Sequence, residues 1–89
     1  MADEIIFSGQ LPSDQLFDVE LNARQLACPL PILRAKQSLS QMMSGQVLKI
    51  VATDKGSPLD FAVFCDNTGN ELLSSVEQDG EFVFLIRRR

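Results

Sequence analysis

From Phe17 to Arg24 the chain alternates without a break. Phe17, Val19, Leu21 and Ala23 fall on one side of an extended strand, and Asp18, Glu20, Asn22 and Arg24 on the other. Such a strand has one dry face and one wet face, so its sheet is expected to be covered on one side only. Residues 46–53, Gln-Val-Leu-Lys-Ile-Val-Ala-Thr, are instead apolar at nearly every position, which predicts a central strand. Between these two strands the period changes. Ile32, Ala35, Leu39, Met42 and Met43 recur at helical spacing, Arg34, Gln37, Ser38 and Gln41 face away, and Gly45 is the expected stop.

A second helix is expected after residue 56. Ser57 reads as its N-cap, Pro58 as its first residue, Asp60 as an acid standing in a near-capping box, and Gly69 as its close. Residues 71–78 and 81–88 flank Asp79-Gly80, one of the strongest two-residue hairpin signals. The predicted order is β-α-β-α-β-β. This is an α+β, two-layer sandwich: a four-stranded mixed sheet with two helices on one face. Residues 17–89 are read as the single domain and residues 1–16 as a variable extension, in which Glu-Ile-Ile-Phe is a candidate short strand.

With 89 residues and 45% hydrophobic composition, the chain can build one core. It has no apolar run long enough to cross a membrane. It opens with acids where a secretion signal carries bases, which points to the cytoplasm. The net charge of −4 argues against direct nucleic-acid binding, which draws on grouped Lys and Arg. The one basic cluster, Arg87-Arg88-Arg89, reads as a solvated tail on the last strand.

Two cysteines, Cys28 and Cys65, are present and histidine is absent. That excludes a Cys-His nucleophile pair, a His-bearing zinc site and a histidine general base. No metal or cofactor is called for. Cys28 stands at the turn between the first strand and the first helix, in Cys28-Pro29-Leu30-Pro31. Pro29 is placed at the first helical position and Pro31 at the third, where their missing N–H groups cost nothing and their fixed φ starts the helix. A sulfur at a helix start is expected to have a lowered pKa, moderated because Leu30 is the lone early amide donor. Two readings stay open on these grounds: an activated, accessible thiol, or a small packed residue before a helix. Pro31 occupies the place of a resolving cysteine, so this is not a Cys-x-x-Cys dithiol, and carrying a group suits it better than making disulfides. Cys65, one turn after Phe61, reads as packing, like Phe61 with Phe64 and Met42 with Met43.

Residues 21–39, then 47–73 with Ala-Thr-Asp and Phe-Cys…Thr-Gly, and the closing Phe-Val-Phe-Leu-Ile-Arg, resemble the TusA/SirA family of small sulfur-carrier proteins. The resemblance covers about residues 19–89. It implies the same β-α-β-α-β-β sandwich. It also implies that Cys28 accepts a sulfane sulfur as a persulfide from a donor protein, a cysteine desulfurase or rhodanese, and relays it to an acceptor protein. Destinations in such families include tRNA thiolation, cofactor maturation and sulfur metabolism. Pro29 and Pro31 match the motif prolines; Lys36 and Asp54 match partner-binding positions. The free protein is expected to be a monomer. Two departures stand out. Gln25 occupies a glycine position, where φ > 0 is costly for it, and Asn22 replaces an acid near the motif, a change expected to ease thiolate formation. The rival readings are a regulatory protein-binding module without turnover, and a redox protein pairing Cys28 with Cys65.

Overall fold

A computed structural model describes residues 17–89; the extension, with its candidate strand, lies outside the described residues. The elements follow in the expected order: β1 (Val19–Ala23), α1 (Leu30–Ser40), β2 (Val47–Ala52), α2 (Ser57–Thr68), β3 (Glu71–Gln78) and β4 (Glu81–Arg87). The sheet order is β1-β2-β4-β3. β1 runs parallel to β2, β4 lies antiparallel to both β2 and β3, and the apolar β2 is central as its composition requires.

The core forms where one sheet face meets both helices. Leu48, Ile50 and Ala52 of β2 and Phe84 and Ile86 of β4 pack against Ala35 and Leu39 of α1 and Phe61 and Cys65 of α2. Their alternation along the strands puts them on a single face. Phe61 and Phe84 stack at 4.7 Å between centroids, and Phe64 meets Phe61 edge-on at 6.4 Å. The Asp79-Gly80 turn has positive φ at both residues, 54° and 81°, as a type I′ hairpin demands.

Four details differ from the sequence reading. Phe17 was expected on the buried face; it precedes β1 and is exposed, its ring 5.2 Å from the Lys49 Nζ on the face without helices. α1 stops at Ser40 rather than running to Gly45. The N–H groups of Gln41 and Met42 turn back to Ser38 and Leu39, and the Arg88 Nε donates to the Leu39 carbonyl at 2.7 Å, so a residue just past the last strand closes the helix. Met42 still reaches the core, but Met43 is 72% exposed. Finally, Ser57 is the first residue of α2, not its cap, and its buried Oγ has no hydrogen-bond partner. Gly56 is the N-cap, and Asp54 braces the turn before the helix: its Oδ2 accepts from the Gly56 N–H and its carbonyl from the Ser57 N–H.

A thiol between two helix starts

Because β1 and β2 are parallel neighbours, the loops that leave them open at the same end of the sheet. One loop carries Cys28 into α1 and the other carries Asp54 and Gly56 into α2. Sequence-distant residues are thereby neighbours around one exposed sulfur.

The first loop is held at its root. Gln25 takes the left-handed conformation, φ 65°, that its side chain disfavours. Its N–H donates to the Thr53 Oγ1 at 2.8 Å, which fastens the β1 exit to the β2 exit. Next to it, Arg24 grips Glu81 through Nε–Oε2 at 2.7 Å and Nη2–Oε1 at 3.2 Å. That fork holds the Glu81 carboxyl below its ordinary value. The Asn22 Oδ1 accepts from the Arg24 N–H and Nη1, so the amide serves Arg24 rather than the sulfur.

At the thiol the proline roles shift by one place. Pro29 was expected as the first residue of α1; it is the N-cap, its carbonyl accepting the first helical bond from the Leu33 N–H, while buried Pro31 lies in the first turn. The Leu30 N–H, the one early amide left by the prolines, donates to the Ala27 carbonyl at 2.8 Å and is not free to hold a thiolate. The expected lowering of the Cys28 pKa is therefore overturned. The thiol is pushed up, first by the neighbouring Asp60 carboxylate, which favours the protonated sulfur, then by partial desolvation and by the charges of Asp60 and Asp54. The positive end of α2 is answered by the Asp54 and Asp60 carboxylates instead of by the sulfur.

Of the residues singled out from the sequence, the structure brings Cys28, Pro29, Pro31 and Asp54 together. Lys36 is set apart: it borders a cavity with Leu39, Ser40, Phe64, Thr68, Asn70, Arg88 and Arg89 at the C-terminal ends of the helices. Asp60 is the residue the sequence reading missed, because its place in the first turn of α2 explained it as a helix-start acid. The parallel β1–β2 pairing was the available signal, since it places the starts of α1 and α2 side by side. Cys65 is buried in the core, its thiol pushed up to about 11 by burial, and both cysteines are free.

A family model for sulfurtransferase TusA matches residues 19–88. The chain belongs to the TusA family. It is 58% identical over 72 residues to the sulfur carrier protein TusA of Allochromatium vinosum, covering 81% of this chain and 95% of the relative. It is 51% identical to a putative sulfur carrier protein of Neisseria meningitidis, over 78% of this chain and 93% of that one. The fold matches the crystal structure of a SirA-like protein from Desulfitobacterium hafniense, with a TM-score of 0.72 at 22% identity, over 79% of this chain and 96% of that one.

Proposed function

We propose that this TusA-family chain is a sulfur carrier that holds a sulfane sulfur on Cys28 as a persulfide. The observation that carries the reading is the contrast in access: Cys28 is exposed at the mouth of the β1–α1 turn, whereas the second thiol is sealed in the core. In the transfer, the Cys28 sulfur attacks the terminal sulfur of a donor persulfide. The new Sγ–S bond forms as the donor S–S bond breaks, the Cys28 proton ends on the donor thiol, and no net oxidation occurs. The acceptor thiol later takes the same sulfur by the same displacement. No acid–base residue has to act within the chain beyond the group that sets the protonation of Cys28, which accords with the absence of histidine.

Pro29 and Pro31 fix the start of α1 and so the direction of Cys28. Asp54 belongs to the rim that a docked partner covers. Lys36 offers a second, remote point of contact on the same helix. The donor is a cysteine desulfurase or rhodanese, the acceptor a downstream protein of tRNA thiolation, cofactor maturation or sulfur metabolism, and the free carrier is a monomer.

The test is an intact mass after incubation with a cysteine desulfurase and cysteine. A gain of one sulfur, lost in Cys28→Ser and kept in Cys65→Ser, is the expected result. A wild-type chain that takes no sulfur, or a Cys28→Ser chain that still does, overturns the reading and leaves a binding module without turnover.

A further inference from the structure

The surroundings of Cys28 carry information about what its partner must look like. Asp54 and Asp60 point toward common space beside Gly56: a methyl placed on Gly56 would lie 3.1 Å from the Asp54 Oδ2 and 3.6 Å from the Asp60 Oδ2. Both acids are half-buried, and among the described residues the ion pairs are Arg24–Glu81 and Arg87–Glu71, which leave these two without a cation. Lys55, next to Asp54 in sequence, and Arg34 on α1 are both exposed and make no ion pair with either acid among the described residues. Around the carboxylates the surface turns apolar. Leu30 and Leu33 on α1 and Leu59 and Val63 on α2 are 44%, 48%, 71% and 49% exposed, all within the first two turns of helices that start beside the thiol. Exposed aliphatic side chains grouped on two adjacent helix starts are a contact surface in search of a cover.

We propose that this surface selects its sulfur donor by charge: the donor segment presents a lysine or arginine beside its own sulfur, seated against Asp54 and Asp60, and an aliphatic residue for Leu30, Leu33, Leu59 and Val63. The inference rests on Cys28 being the sulfur-bearing thiol. Its physical basis is that two carboxylates with no cationic side chain paired to them among the described residues repel an anionic approach and attract a cationic one within a Debye length. The docked cation also offsets the acids that raise the thiol, so the same contact that recognises the donor favours the attacking thiolate of Cys28. The unliganded carrier is thus a slower nucleophile than the carrier with a matched partner seated on it.

Charged disulfides test this without a protein partner. Cys28 exchanges with cystamine, which carries two ammonium groups, or with dithiodipropionate, which carries two carboxylates. In each case the Cys28 sulfur attacks one disulfide sulfur, a mixed disulfide forms, and one small thiol leaves with the proton. Mixed-disulfide formation is followed by intact mass at low salt, with 2-mercaptoethanol as the reference thiol. The cationic probe is expected to be favoured over the anionic one by about tenfold more than for the reference, as Coulomb attraction at close range allows. The preference should fall toward the reference value in Asp54→Asn/Asp60→Asn and, in the unaltered protein, with added salt. Taking the ratio of the two probes removes any change in thiolate fraction common to both. A wild-type ratio equal to the reference, or one that neither salt nor the double substitution moves, overturns the proposal. Salt dependence keeps the answer available if the double variant folds poorly. Sulfur loading without charge preference would defeat this inference alone, and charge preference without loading would defeat the carrier reading alone.

Discussion

The two cysteines hold the same chemical group in two settings, and both thiols are pushed up, by different means. At Cys65 the cause is burial among Phe61, Leu39 and the sheet, so nothing short of unfolding relieves it. At Cys28 the leading cause is an anion, the Asp60 carboxylate, on a surface open to solvent. A partner can cancel a charge but cannot dissolve a core. A permanently inert thiol and a conditionally quiet one therefore differ not in the direction of their shift but in what it would take to reverse it. Position in the fold makes the difference: Cys65 lies in the third turn of a helix against the sheet, Cys28 on the loop that leaves it.

The largest test of the contrast is native-state alkylation. Iodoacetamide should label Cys65→Ser once under native conditions and leave Cys28→Ser unlabelled until denaturant is added. Native labelling of Cys65 at a rate comparable to Cys28 would erase the distinction. The next effect is on stability at high pH. The Cys65 thiol titrates at about 11 when folded against an ordinary 9.0, so the folded state holds its proton longer than the unfolded chain. Stability should then be intact below pH 9 and fall as pH rises toward 11, by on the order of 2 kcal/mol, and the fall should flatten in Cys65→Ala. Urea unfolding across that range measures it.

Substitution at the two sites should separate them again. Cys65→Ser puts a hydroxyl into the core and should cost about 1–3 kcal/mol in urea unfolding, whereas Cys28→Ser should leave the midpoint where it was. The upstream turn gives a smaller change of opposite sign. Gln25→Gly relieves a left-handed φ of 65° and should add about 1 kcal/mol of stability, with the Thr53 contact kept because it uses the backbone N–H. No gain would mean that the tie to Thr53 already compensates the strain. The finest test concerns protonation alone. The pH midpoint for alkylation of Cys28 should lie above that of an ordinary thiol and move down in Asp60→Asn, with no movement at Cys65.

Much of the architecture was legible because each element carried its own local signal. The strict alternation of β1, the unbroken apolar β2 and the Asp79-Gly80 turn each encode a structure that neighbours only reinforce. The strain at Gln25 was legible too, since the backbone requirement of that turn and the cost of a side chain there are both local facts. What misread were quantities set by contact. The end of α1 is met by Arg88, just past the last strand, reaching the Leu39 carbonyl. At the start of α2 the cap falls on Gly56 and Ser57 is the first helical residue, buried. Where Lys36 stands was open in the sequence: it lies mid-helix in α1 and borders a cavity with Arg88 and Arg89.

The sequence by itself determined where along the chain the Cys28 turn would sit and the order of strands and helices around it. Those follow from residue types and their spacing. Only the tertiary structure decided the electrical character of the Cys28 sulfur. The helix start argued for a lowered pKa, moderated by the prolines that remove its early amides. Parallel pairing of β1 with β2 set a second helix start, with its two carboxylates, beside the first. Electrostatic potential sums over whatever lies near in space, whatever its distance along the chain. For Cys28 the leading contributions come from Asp60 and Asp54, and they turned an expected lowering of the thiol pKa into a raising.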